Sequence, residues 1–285
     1  VQVPSPLTEL RDERLRARGV RLYLKRDDLI SPDIPGNKWR KLKYNLAAAR
    51  EQGRRTLLTF GGAYSNHIRA TAAAGARFGF ETIGVVRGEE HRPLNDSLAR
   101  AVSYGMRLAY LDRTRYRRKT EPDVLDALAD EFGDFYLLPE GGTNSLALKG
   151  CMELPAEIDI DFDVLCCACG TGGTLAGLAA GLRPGQRALG FSALKGGEFL
   201  AGDVRRLQID AFGAETGNWS IDFGSHFGGY ARRTPELDRF VADFRRRHDV
   251  ELDWVYVAKM LHGVFTRVRG GEFPDGCAIV AVVTG

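Results

Sequence analysis

Short runs of β-branched, aliphatic and aromatic residues alternate with longer amphipathic stretches along almost the whole chain, and few architectures accept that rhythm. The apolar runs fall at residues 20–24, 56–60, 82–86, 107–111, 135–138, 164–168, 188–191 and 278–283. Stretches with helical spacing lie near 39–52, 66–78, 95–104, 122–131, 145–153, 173–182, 235–247 and 257–268. A helix between two strands returns the chain to the same end of the sheet, so the strands run parallel and the helices cover both faces. The pattern predicts an α/β fold of two open parallel sheets with helices on both faces. At 285 residues the chain is long for one core, given about 150 residues per domain. No Pro/Ser/Gly-rich linker divides it, so two domains are expected to be intertwined rather than strung in series. Residues 211–233, rich in glycine and aromatics without periodicity, read as a functional loop.

Charge and hydropathy exclude several functions. Forty basic residues against 37 acidic ones leave a net charge of +3, too balanced for a nucleic-acid partner. The basic run at 113–119 accordingly reads as solvated surface. No stretch approaches the roughly 18 uninterrupted apolar residues of a membrane span. The opening VQVPSPLTEL has neither the basic nor the apolar region of a signal peptide, and the expected location is the cytoplasm. The five cysteines, at 151, 166, 167, 169 and 277, form no CxxC pair. Three share one apolar run, where neighbours on a strand point to opposite faces, so they read as reduced core thiols and no metal is expected.

Three motifs can carry chemistry. Gly170-Thr171-Gly172-Gly173-Thr174 follows an apolar strand and opens a helix. Backbone N–H groups at such a positive helix end suit a compact monophosphate; a merely tight strand–helix turn is the other reading. Gly36-Asn37-Lys38-Trp39-Arg40-Lys41 puts a lysine at a helix start, where the dipole disfavours a cation and favours a nucleophilic free amine. A solvated basic turn explains the same residues. Gly61-Gly62-Ala63-Tyr64-Ser65-Asn66-His67 is again strand, glycine turn and helix start, either a carboxylate cradle or an ordinary cap. A lysine amine, a carboxylate cradle and a phosphate cradle together are what a pyridoxal-phosphate enzyme acting on an amino acid requires.

With Lys25-Arg26-Asp27-Asp28, Pro139-Glu140-Gly141-Gly142, and Val255-Tyr256 followed by Lys259, these motifs resemble the 1-aminocyclopropane-1-carboxylate deaminase / D-cysteine desulfhydrase family of the tryptophan synthase β-subunit fold (fold type II). The motifs occur in the family's order from Pro4 to the end of the chain. The resemblance implies pyridoxal 5'-phosphate as cofactor, with Lys38 as the Schiff-base lysine and residues 170–174 as the phosphate loop. It places Asn66 beside the cofactor's 3-hydroxyl and Thr284 opposite its ring nitrogen. Ser65, Asn66 and His67 would bind substrate, and Ser65, Tyr256 and Tyr230 would be catalytic with Lys38. It also implies a large cofactor domain of residues 1–44 and 149–285, carrying Lys38 and the phosphate loop, and a smaller inserted α/β domain of 45–148. The expected partners are a small amino-acid substrate and a second copy of the chain in a homodimer, with neither nucleic acid nor membrane.

The chain departs from the family after Tyr256. There the deaminase branch has a glutamate that reaches the ring nitrogen and the desulfhydrase branch has a threonine; here Val257 and Ala258 follow. Without that carboxylate the cofactor is a weaker electron sink, which favours β-elimination of a good leaving group such as thiolate. D-cysteine desulfhydrase-like elimination to a keto acid, ammonia and sulfide is the activity expected. The alternatives are 1-aminocyclopropane-1-carboxylate deamination, another β-substituted amino acid, or a catalytically weak cofactor- or amino-acid-binding sensor. His226 and His262 read as packing or hydrogen-bonding residues near the site, with proton shuttling as the other reading.

Overall fold

The computed structural model describes residues 1–34 and 36–284. The chain opens with β1 (Leu7–Glu9), α1 (Glu13–Arg16) and β2 (Arg21–Arg26). It continues through α2 (Asn37–Glu51), β3 (Thr56–Gly61), α3 (Asn66–Phe78), β4 (Glu81–Arg87), α4 (Asp96–Ser103) and β5 (Arg107–Leu111). Next come α5 (Arg113–Arg117), α6 (Pro122–Phe132), β6 (Tyr136–Leu138) and α7 (Ser145–Met152). The last part is β7 (Val164–Cys169), α8 (Gly173–Ala180), β8 (Arg187–Ser192), α9 (Phe199–Phe212), β9 (Trp219–Asp222), α10 (Pro235–His248), α11 (Val257–Arg269) and β10 (Ala278–Val283).

Two compact units result: Val1–Asn37 with Leu148–Gly285, and Lys38–Ala147. The sequence suggested a first boundary after residue 44, within α2; here α2 beyond Asn37 belongs with the second unit, and Lys38 is that unit's first residue. Among the described residues, the first unit's sheet has the order β1-β2-β10-β7-β8-β9 and the second unit's the order β5-β4-β3-β6. Every pairing is parallel except β1 on β2, as strand–helix alternation requires.

The centre of the first sheet is β10, whose six residues are all buried, as a strand covered on both faces must be. The pleat sends Cys166 of β7 into the apolar layer that includes Leu22, Val257 and Val264. Cys167 and Cys169 go into the opposite layer, with Leu175 and Val204. All five cysteines are buried, and burial pushes the Cys166 thiol up to about 12, the behaviour of packing rather than reactive sulfur. Because β2, β10 and β7 are parallel and in register, their carboxyl ends lie along one edge of the sheet. Asp27, Thr284 and Gly170 follow directly from them. In open α/β sheets that edge is where ligands bind.

The eight expected strands are present, and so are the eight expected helices, to within a few residues at their ends. Helix α9 and the short α1, α5, β1 and β9 were not foreseen. The stretch 211–233 is less irregular than its composition suggests, since it holds the end of α9 and all of β9.

Candidate active site

In the first unit, the phosphate-loop candidate turns from β7 into α8. Gly172 is left-handed (φ +75°), and no side chain caps the start of α8, leaving the first-turn N–H groups turned outward. Thr174 is buried, and its Oγ accepts from the Asn37 side-chain amide at 2.7 Å. That bond leaves the Thr174 hydroxyl proton available to an anion. The preceding glycine is fixed as firmly: Gly36 has φ +60°, and a Cβ built on it would lie 1.5 Å from the Thr284 carbonyl oxygen. Its N–H donates to the Asp27 carbonyl at 3.1 Å. Gly36 and Asn37 are thus pinned to the carboxyl edge of the sheet, and Lys38 is the next residue of the chain.

Tyr256 lies across the same loop, since a Cβ on Gly170 would come 3.2 Å from its Cε1. The Tyr230 ring meets that of Tyr256 at 5.9 Å and 61°. Burial, and then the neighbouring Tyr230 phenol, push the Tyr256 phenol well above its ordinary value, so it stays a proton donor. Asp253 organises the approach to α11. One carboxylate oxygen accepts from Val255 N–H at 3.1 Å, and the other from Tyr256 N–H at 2.7 Å and Val257 N–H at 3.2 Å. Val257 itself is fully buried in the apolar layer, so a glutamate at this position would place a carboxylate in the core. Thr284 is buried at the end of β10.

Lys259 has a role that its place in the motif does not announce. It is buried, and its Nζ donates to the carbonyls of His226 at 3.0 Å and Gly229 at 2.7 Å. Phe227, Gly228, Gly229 and Ala231 all have positive φ, and the ammonium holds this strained turn with Tyr230 in it. His226 belongs to the turn, its Nδ1 accepting from Gly228 N–H at 3.0 Å. His262 packs edge-on against Phe227 at 4.8 Å and Phe240 at 5.2 Å and bonds Glu236 at 3.2 Å.

The second unit gathers the other candidates. Lys38 stands in the first turn of α2, half-buried, and Trp39 stacks on Phe78 at 5.5 Å. Lys41 is buried, its Nζ donating to the Gly141 carbonyl at 3.2 Å and Thr143 Oγ at 3.0 Å. Ser65 is the N-cap of α3, accepting from Ile68 N–H at 3.3 Å. Gly61 lies against it, where a Cβ would come 2.7 Å from Ser65 Oγ. Asn66 is half-buried and accepts from Arg69 at 3.4 Å.

The tautomer of His67 follows from its neighbours. The Thr59 hydroxyl donates to the Leu138 carbonyl at 2.9 Å, so its oxygen accepts from His67 Nε2–H at 2.9 Å. Nδ1 is then a bare acceptor, buried and without a hydrogen-bond partner among the described residues. Gly142 packs on the ring so closely that a Cβ would come 2.7 Å from His67 Cε1. Burial, then Lys38 and Lys41, hold the imidazole well below its ordinary value. The unfolded chain takes up that proton near pH 6.5 and the folded chain does not. The stability contribution is therefore complete above about pH 6.5 and lost below it, at up to about 1.4 kcal/mol per pH unit. Urea unfolding on either side of that value should show a larger acid loss in the wild type than in His67→Gln; equal losses would contradict the buried neutral imidazole.

Comparisons with known proteins address the chain as a whole. The family described as pyridoxal-phosphate-dependent enzyme matches residues 2–285. A Thermotoga maritima protein provisionally named a 1-aminocyclopropane-1-carboxylate deaminase is 32% identical, covering 94% of this chain and 90% of its own. A Yersinia pestis D-cysteine desulfhydrase is 28% identical over 94% of this chain and 87% of its own. The crystal structure of an ACC deaminase homologue superposes with a TM-score of 0.85 at 28% identity, covering 99% of this chain and 89% of that one. Cysteine synthase from Entamoeba histolytica shares the fold, with a TM-score of 0.73 at 15% identity over 99% of this chain and 85% of that one. The chain belongs to the pyridoxal-phosphate-dependent enzymes of fold type II, in the 1-aminocyclopropane-1-carboxylate deaminase / D-cysteine desulfhydrase family.

Proposed function

We propose that this protein eliminates the β-substituent of a small amino acid in the manner of a D-cysteine desulfhydrase, releasing a keto acid, ammonia and, from D-cysteine, sulfide. The observation that carries this reading is the lack of an available carboxylate beside Tyr256 among the described residues. Val257 is in the apolar core, and both oxygens of Asp253 are taken up by backbone N–H groups. The family resemblance assigns the ring nitrogen to the Thr284 hydroxyl, which would be a weaker partner than a carboxylate. Elimination of thiolate tolerates this better than opening a carbon ring does.

The residues present fit pyridoxal phosphate. The uncapped start of α8, the left-handed Gly172 and the Thr174 hydroxyl suit its phosphate, with Gly170, Thr171 and Gly173 completing the loop. The bound cofactor supplies an electron sink for the charge left at the substrate's α-carbon. Lys38 would hold it through Nζ and, once displaced by the substrate's amine, take the α-proton. Ser65 Oγ and the first turn of α3 receive the substrate carboxylate, Asn66 meets the cofactor's 3-hydroxyl, and His67 contributes a neutral imidazole. Tyr256, still protonated, donates to the departing thiolate, and Tyr230 fixes the Tyr256 ring from its edge. A homodimer in the cytoplasm belongs to the same reading, and light scattering of the purified protein checks the first half of it.

The cofactor-loaded enzyme should be given D-cysteine, L-cysteine and 1-aminocyclopropane-1-carboxylate, and sulfide, ammonia and keto acid assayed. The expected kcat/KM for D-cysteine exceeds that for the cyclopropane by at least about tenfold. Faster turnover of the cyclopropane would overturn the reading, as would no turnover of any of the three with cofactor bound. Ser65→Ala should raise KM about tenfold or more, as losing a hydrogen bond to a charged group does, with kcat changed much less. It should also cost about 1 kcal/mol of stability through the lost cap. A fall in kcat with KM unchanged would move Ser65 out of carboxylate binding.

A further inference from the structure

We propose that the first unit carries a second small-molecule site, in the cavity framed by α1, α10 and α11, and that it takes a carboxylate borne on a flat apolar body without an amino group. The cavity encloses about 300 Å³, at the lower end of small-ligand pockets. Arg14, Arg18, Arg269 and His262 line it together with Phe240 and Phe265, and no acidic residue does.

The walls explain the apolar body. Phe240 and Phe265 meet at 5.8 Å and 66°, and His262 meets Phe240 at 5.2 Å and 79°. Rings set edge to face leave faces and edges on which another flat ring can pack. The Arg14 guanidinium covers the Phe265 ring at 4.7 Å and is itself held by Asp12 and Asp243. It is a fixed wall rather than a receptor.

The charge explains the carboxylate. Arg18 is anchored through one nitrogen, which donates to the Arg269 carbonyl at 2.7 Å, and the rest of its fork remains. Arg269 is the last residue of α11. Neither arginine has a carboxylate partner among the described residues, so two guanidinium forks stand un-neutralised at an apolar cavity. That combination recognises a planar carboxylate. Inorganic phosphate would leave the aromatic walls without a partner. An amino acid would bring its ammonium against the un-neutralised guanidiniums of Arg18 and Arg269, so the site separates a keto or aromatic acid from the amino acid of the same shape.

Calorimetric titration of the cofactor-loaded enzyme with 3-phenylpropanoate tests this. The expected dissociation constant is about 4 mM or tighter, from a ligand efficiency of about 0.3 kcal/mol per heavy atom. Phenylalanine and 3-phenylpropan-1-ol should each bind at least about tenfold more weakly. Arg18 and Arg269 are both exposed, so Arg18→Gln with Arg269→Gln should leave folding and turnover of D-cysteine intact while weakening the acid at least about tenfold. Equal affinity for the acid and the alcohol, unchanged affinity in the double variant, or no saturable binding of the acid would each overturn the proposal.

Discussion

Lys38→Ala is expected to leave a folded protein whose turnover is lower by at least about a thousandfold. Lys38 is a half-buried helix residue outside the apolar clusters, and alanine is the better helix former, so the melting temperature should hold. What disappears, on the proposed reading, is the amine that would anchor the cofactor and take the α-proton. Three lysines among the described residues are buried and held by protein groups: Lys25 by the Ser5 carbonyl and Glu157, Lys41 by Gly141 and Thr143, and Lys259 by His226 and Gly229. Borohydride reduction of the loaded enzyme and peptide mapping should place the pyridoxyl group on Lys38. Its appearance on Lys41 or Lys259 would transfer the role, and near-normal turnover in Lys38→Ala would remove it.

Gly36→Ala is expected to cost about 3–5 kcal/mol of stability and most of the cofactor affinity. Two penalties coincide. The left-handed φ of +60° disfavours any Cβ, and the added carbon would lie 1.5 Å from the oxygen and 2.4 Å from the carbon of the Thr284 carbonyl. Those are backbone atoms at the end of a central strand, with no side-chain rotation to relieve the clash. Displacing the turn also pulls Asn37 from Thr174, and with it the phosphate loop. Gly53 is the internal control, with φ +68° and nothing within 4 Å of a built Cβ. Gly53→Ala should show the conformational penalty alone, about 1 kcal/mol. If denaturant midpoints put the two variants together, the packing argument at Gly36 fails.

The legible parts of this molecule were those with a period. Runs such as Val282 with its apolar neighbours and helices such as α10 announce themselves because burial repeats every two or every 3.6 residues. Helix α9 escaped because Gly202 interrupts its pattern near the start and few of its residues are buried: Leu200, Val204 and Gln208. β9 escaped inside a glycine-rich stretch where four residues are too few to establish alternation. The helix starts at Lys38, Ser65 and Gly173 were legible because helix starts have local chemistry. The use of Gly36 against Thr284 was not, since those positions stand at opposite ends of the chain. Nor were the carbonyls that hold Lys259, because a backbone acceptor leaves no trace in residue identity. Val257 could be read as a departure, but only the packing of Leu22 and Val264 around the same layer shows that its side chain is spent on the core.

The position of β10 between β2 and β7 sets an order of events during synthesis. Arg21 pairs with Ala278, and Val164 with Ile279, so the first sheet is divided until the ribosome has delivered β10, which follows the sheet's other strands in the chain. The strands of the second unit, by contrast, pair only with one another and lie wholly within Lys38–Ala147, free to assemble as soon as they emerge. Until β10 arrives, β2 and β7 each have one unpaired edge, and β7 is apolar throughout. The nascent chain is most exposed to edge-to-edge aggregation during that interval, and slow decoding ahead of Ala278 lengthens it.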